Sequence, residues 1–249
     1  MTGAGHASKR LGGSRSTSDN GCVTTTRKST PAAAAETTGA GANGARSQRR
    51  ADVVRLAGEL FAQKGFRATT VREIADAAGI LSGSLYHHFD SKESIGDEIL
   101  AGFLNDILAA YRGAVAAADD PRDAVERIVR TSSHTLARHR AALTMLQNDW
   151  NYFSTQPRFG YLRKDLREIE RIWMTQLQRG VDAGLFREDL DIKITYRLLR
   201  DILWLPMNSL QAGGVDTDQV VDAFLRLLFD GITSPQARQG ASRQQARHG

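Results

Sequence analysis

Apolar side chains recur along this chain at helical spacing, and no stretch alternates in the manner of a strand. Val53, Val54, Ala57, Leu60 and Phe61 form one stripe between Ser47 and Lys64, the face of an amphipathic helix that Gly65 stops and Phe66 packs back onto. Val71, Ile74, Ala75 and Ala78 repeat the pattern over a shorter helix, for which Thr69 or Thr70 is the N-cap. Gly79 ends it as a left-handed cap, and Ile80 and Leu81 supply the apolar contact of the turn. Leu85 and Phe89, one turn apart, then face inward from a second short helix capped by Ser82 or Ser84, which leaves Ser82, Gly83, Ser84, Tyr86, His87 and His88 outward. Asp90 to Glu93 open a long helix through Ile95, Ile99, Phe103 and Ile107 to about Ala118. Further helices are expected over 121–138 with Pro121 in its first turn, over 140–153, from Pro157 to Ala183 with Gly184 closing it, over 191–210 with an interruption at Pro206, and over 216–232. The fold class is all-α, with about nine helices.

Helix, glycine turn and short polar-faced helix form a helix-turn-helix, the unit whose second helix lies in the DNA major groove. An inert helical hairpin shares this spacing, and the outward chemistry separates the two readings. Short hydroxyls, a phenol, two imidazoles and no carboxylate suit a surface of phosphates and base edges. A solvated helix would mix in Glu.

Composition changes this picture in three places. The 249 residues contain one cysteine, Cys22, so there is neither a disulfide framework nor a Cys/His set at zinc spacing, and a reducing cytoplasm is expected. The net charge of +5 is uneven: residues 1–50 carry +6 and 236–249 carry +3, which leaves −4 on 51–235. Nucleic-acid contact by this mildly acidic body is therefore local. The Gly-, Ala-, Ser- and Thr-rich residues 1–45 have no apolar face and read as a disordered basic tail, not as a secretory signal. A GxGxxG at 39–44 follows no strand and is a chance match. The longest apolar run, Ile202–Met207, is far short of a membrane span, and no membrane partner is expected. His134 and His139, five apart, share no face for a metal, and Asp149, Glu168 and Glu170 read as solvated.

The run TTVREIADAAGILSGSLYHHFDSKESI, ahead of a larger helical body, resembles the TetR-type one-component repressors of bacteria, with Gly79, Leu85-Tyr86, Phe89 and Lys92 where that family has them. Within the family, GILSGSLYHHF, the TQPRF run at 155–159 and RDILW at 200–204 are most similar to the actinobacterial repressors of lower sterol-ring (cholesterol) catabolism, which respond to steroid-derived acyl-CoA thioesters. The resemblance implies a disordered tail at 1–45, a DNA-binding domain at 46–92 with its helix-turn-helix at about 70–89, a ligand-binding and dimerisation domain at 93–233, and a second disordered basic tail at 234–249. It implies a homodimer, built by 157–183 with 191–210 or 216–232, that grips a pseudo-palindromic double-stranded operator and is released by a small-molecule inducer. The 92–118 helix is the expected lever. No cofactor and no catalytic activity are implied.

Residue by residue, the resemblance makes Thr70, Tyr86 and Lys92 phosphate anchors. Ser82, Gly83, Ser84 and His87 lie where base contacts are made. His88 is either a contact or a packed histidine, and Thr69 shares the N-cap assignment with Thr70. Arg46 and Arg49, beside Arg50, stand at the start of the first helix, where positive charge opposes the helix dipole and phosphates would offset the penalty. For the ligand, Arg200 and Trp204 share a helix face and suit the phosphate and adenine of CoA; the alternative is a buried indole with a snorkelling arginine at the dimer seam. Trp150, Tyr152 and Trp173 are further ligand candidates, although such residues are more often core. Two other functions fit parts of the pattern: an acyl-CoA-binding helical protein or enzyme without DNA function, against which the absence of a nucleophile–base pair speaks, and a ligand-free nucleoid binder, for which the large aromatic body has no use.

Overall fold

The computed structural model describes residues 38–204 and 216–230. Among them are nine α-helices: α1 (Thr38–Lys64), α2 (Val71–Ala77), α3 (Ser82–Leu85), α4 (Lys92–Ala116), α5 (Pro121–Arg138), α6 (Arg140–Phe153), α7 (Tyr161–Asp182), α8 (Ile192–Trp204) and α9 (Thr217–Asp230), with a 3-10 turn at Pro157–Phe159 before α7. The predicted tail at 234–249, most of the tail at 1–45 and the interruption at Pro206 lie outside the described residues.

Local chemistry sets the helix ends. Gly65, Gly79 and Gly184 have φ of 89°, 65° and 67°, the left-handed conformation that stops a helix at little cost only with glycine. Ser91 and Ser94 form a capping box at α4, and the Asp120 side chain accepts from the Asp123 N–H ahead of Pro121 in the first turn of α5. Three boundaries depart from expectation. α7 begins at Tyr161, because Pro157–Phe159 is a separate 3-10 turn and not the first turn of that helix. α1 begins at Thr38 instead of Ser47, because periodicity gives no signal where a segment has no apolar stripe to bury. Arg46 and Arg49 thus lie about two and three turns inside α1, and the helix-dipole argument for them falls away. α3 is regular only over four residues, and its N-cap is Leu81 with no side-chain hydrogen bond, so neither Ser82 nor Ser84 caps it. Beyond Leu85 the chain continues as turns, closed by His88 N–H to Leu85 O at 2.9 Å and Phe89 N–H to Leu85 O at 3.0 Å.

α4 runs through the middle of the fold and packs against α5, α6 and α7, while α5 in turn meets α7, α8 and α9. By length and composition α4 is apolar enough to cross a membrane. Its apolar side is instead the centre of the core: Ile95, Leu100, Phe103, Leu104 and Ile107 are all buried. Outer clips hold the layers. Arg130 bonds Asp222 at 2.7 Å and joins α5 to α9, and the Tyr161 hydroxyl donates to Asp97 at 2.8 Å, joining α7 to α4.

Candidate nucleic-acid interface and ligand pocket

α1 to α3 form a reading head around Phe61, Phe66, Ile74, Leu85 and Phe89, all at most 2% exposed. Of the two threonines before α2, the structure selects Thr70 as the cap. The Glu73 N–H donates to its Oγ1 at 3.3 Å, and Thr70 N–H donates back to Glu73 Oε2 at 2.8 Å, a reciprocal capping box. Lys64 reaches the same carboxylate at 2.6 Å. Hydrogen bonds from Lys64 first, and then from Thr70, hold the Glu73 carboxyl down at about 2, from an ordinary 4.5. The resulting stabilisation is complete above the ordinary value and is lost as pH falls through the depressed one. Glu73 went unremarked in the sequence, although T-x-x-E ahead of an apolar run is its signal. Thr70→Ala is expected to lower stability by about 1 kcal/mol; a urea titration that finds no loss would remove the cap from this account.

Three assignments change here. Thr69 is 1% exposed, and its hydroxyl donates to Gly65 O at 2.9 Å; it closes the end of α1 and does not present its hydroxyl at the surface. Lys92, expected as a phosphate anchor, is bonded to the head itself. Its Nζ donates to the carbonyls of Phe66 (2.8 Å), Arg67 (3.2 Å) and Thr69 (2.8 Å), which accounts for all three ammonium protons. It also lies 4.8 Å from the centre of the Phe66 ring, and burial above all lowers its pKa. Lys92 is the latch of the α1–α2 loop. Arg50, unlike exposed Arg46 and Arg49, is a brace: it pairs with Glu98 of α4 at 2.6 Å, donates to the His88 carbonyl and stacks 4.0 Å from the Phe89 ring centre. The outer surface of the head presents Gly83, Tyr86 and His87 exposed, Ser82, Ser84 and His88 half-buried, and Thr70 exposed at the start of α2. Among the described residues no ion pair ties down Arg46 or Arg49, which leaves both guanidiniums available to phosphate.

In the body, α6, α7 and α8 line an open-mouthed cavity of about 610 Å³, within the range of small-molecule sites. It brings together Trp150, Arg200 and Trp204 as expected and adds Arg163, Arg167 and Tyr196. Arg163 lies over the Trp150 ring at 5.6 Å and Arg200 over the Tyr196 ring at 5.9 Å. Glu170 and Asp201 also line it, and Asp201 pairs with Arg200 at 2.8 Å. Burial chiefly raises the Tyr196 phenol to about 12, so it faces the cavity as a neutral hydroxyl. Arg163 and Arg167 were legible as an i, i+4 pair but were lost among the many charges of α7. Trp173 does not join the cavity: it is 2% exposed and packs edge-on to Tyr111 at 6.0 Å. Tyr152 does not join it either. It lies against Phe66 at 5.6 Å and donates to Glu93 at 3.0 Å.

Cavity and reading head meet through α6. At Asp149 its backbone leaves the helical region, with φ −117° and ψ 18°, and Asp149 Oδ2 accepts the Phe66 N–H at 3.0 Å. Asp149 is therefore not a solvated acid. Its neighbours in sequence, Leu146, Gln147 and Trp150, line the cavity, and Gln147 donates to the Trp204 carbonyl at 3.0 Å.

α8 buries Tyr196, Leu199 and Leu203 and leaves Ile194, Leu198 and Ile202 at 54%, 59% and 44% exposure. These three sit at i, i+4 and i+8, an apolar stripe on the outer side of the helix, and Leu227 on α9 is 50% exposed.

With this geometry in place, the comparisons with known proteins are specific. Residues 53–99 match the family model of bacterial regulatory proteins, tetR family, and residues 118–232 match the tetracyclin repressor-like C-terminal domain. The chain is similar to the HTH-type transcriptional repressor KstR2 of Rhodococcus jostii (strain RHA1), 44% identical over 207 residues that span 83% of this chain and 98% of the relative. It is likewise similar to the KstR2 repressor of Mycobacterium tuberculosis (strain ATCC 25618 / H37Rv), 39% identical over 188 residues, 75% of this chain and 94% of that one. A solved structure of the ketosteroid transcriptional regulator KstR2 of Mycobacterium tuberculosis superposes with a TM-score of 0.70, covering 75% of this chain and 95% of that one at 39% identity.

Proposed function

The chain belongs to the tetR family of bacterial regulatory proteins, and from that premise we propose that it is a homodimeric repressor released from its operator by a CoA thioester of a steroid-derived acid. That it is a helix-turn-helix transcriptional repressor, and not an enzyme, follows from the family and its KstR2 relatives. The ligand rests on one observation above all: the cavity sets Arg163, Arg167 and Arg200 beside Trp150 and Trp204. Guanidiniums take up phosphate oxygens in pairs, and an indole offers adenine a stacking face. The steroid class comes from the relatives, whose name carries a ketosteroid.

In this reading the head at 46–92 reads DNA and 93–233 binds ligand and dimerises, in the cytoplasm. The dimer forms through the exposed stripe of α8 together with α9, since solvated Ile194, Leu198 and Ile202 are otherwise unexplained. Two copies of α3 then face successive major grooves, about 34–36 Å apart, on a pseudo-palindrome. Arg200 and Trp204 lie on the cavity side of α8, turned away from that stripe, which favours the pocket reading of the pair over the dimer-seam one.

The test is anisotropy of operator-bound protein titrated with the CoA thioester of a two-ring steroid-degradation acid, with the free acid, and with CoA. The thioester alone is expected to release DNA, and Arg200→Ala to weaken that response about tenfold or more. Release by the free acid as readily as by the thioester would strip the arginines of their phosphate role.

A further inference from the structure

The head carries one large apolar side chain that its fold does not use. Leu81 is 79% exposed, the most exposed of the large apolar residues among those described. It occupies the N-cap of α3, in extended backbone at φ −69° and ψ 143°, and α3 has no side-chain cap. Serine, threonine, aspartate or asparagine would satisfy an open N–H at that position and avoid wetting a leucine. The turn does not need Leu81, because Ile80 is half-buried against the core and Leu85 is fully buried.

A second, independent oddity lies two residues on. Gly83 is exposed, its φ is not positive, and a Cβ there would meet nothing within 4 Å. Alanine would fit and would favour the helix, so the fold gives no reason for glycine. Between residues 81 and 88 there is, moreover, no Arg, Lys, Asn or Gln, the side chains that read guanine and adenine bidentately. A long apolar arm thus stands beside bare backbone at the end of the helix that enters the groove first. The only apolar feature that a base edge offers in the major groove is the 5-methyl of thymine.

We infer that Leu81 determines operator specificity by packing on a thymine methyl, with Gly83 left bare so that α3 can come close enough for the contact. The inference rests on the reading of α3 as the recognition helix. Ser82, between the two, and Ser84, after them, add short hydroxyls that bond either class of base.

The experiment starts from an operator that the full-length protein itself selects out of random duplex DNA. Each thymine is replaced singly by deoxyuridine, which deletes only the methyl, and affinity is measured by anisotropy. At one thymine in each half of the site the parent protein is expected to lose about fourfold per substitution, the worth of one buried methyl. Leu81→Ala should bind the thymine and uracil operators equally. Leu81→Ser should melt higher than the parent, because it restores a capping hydroxyl, and should still show no thymine preference. A parent that ignores every uracil, or a Leu81→Ala variant that keeps the parent's thymine-to-uracil ratio, overturns the assignment. Failure to select any operator overturns the recognition-helix reading and this assignment with it.

Discussion

Lys92→Met is expected to weaken DNA binding about tenfold while leaving the salt slope unchanged. The charge is removed, yet it does not face DNA: the three ammonium protons bond the carbonyls of Phe66, Arg67 and Thr69. Losing charged donors from partly buried carbonyls costs about 2 kcal/mol of stability, and it loosens the segment that fixes α2 and therefore α3. A lysine bound to phosphate behaves differently, because its removal lowers the slope of log affinity against log salt by about 0.9. Titrations from 50 to 200 mM salt decide between the two, and a slope reduced by a full contact would return Lys92 to the phosphate backbone.

Phe66→Ala should be more severe for stability. The Phe66 ring is fully buried, with Phe61 at 4.8 Å, Phe153 at 4.9 Å and Tyr152 at 5.6 Å. α4 has a glycine opposite, Gly96, where a Cβ would sit 2.7 Å from the ring. Truncating so enclosed a phenylalanine costs about 3–5 kcal/mol, roughly 10 °C in melting temperature for a chain of this size. Phe66 joins head to body, so repression should fail at temperatures where the parent still represses. A melting temperature within a degree or two of the parent would show that the two parts are held together elsewhere. Phe66→Leu, which keeps most of the volume, is expected to lose well under half as much.

The helix stops were readable because each is a local event: Gly65, Gly79 and Gly184 all take positive φ, and Pro121 starts α5. Which side chains of residues 82–89 stay outside was readable for the same reason, since Leu85 and Phe89 turn inward. Contacts that cross the chain were not. Nothing near Lys92 announces that its partners lie 23 to 26 residues back, and the bond from Phe66 to Asp149 spans 83 residues. Trp150 and Tyr152 part company because two residues of helix turn through about 200°, which sends one ring to the cavity and the other against Phe66; the bend at Asp149 sets which side each meets. Thr69 and Thr70 parted for a different reason. Both suit an N-cap, and only the path of the loop decides which hydroxyl points at α2 and which at the end of α1.

The bond between Asp149 and Phe66 ties the reading head to α6 at the point where that helix bends, next to the residues that line the cavity. Whatever occupies the cavity and moves α6 changes the free energy of holding DNA, and that coupling has no preferred direction. Operator DNA must weaken the inducer's grip by the factor by which the inducer weakens the operator's. A repressor seated on its site is then a poorer sensor than one free in solution.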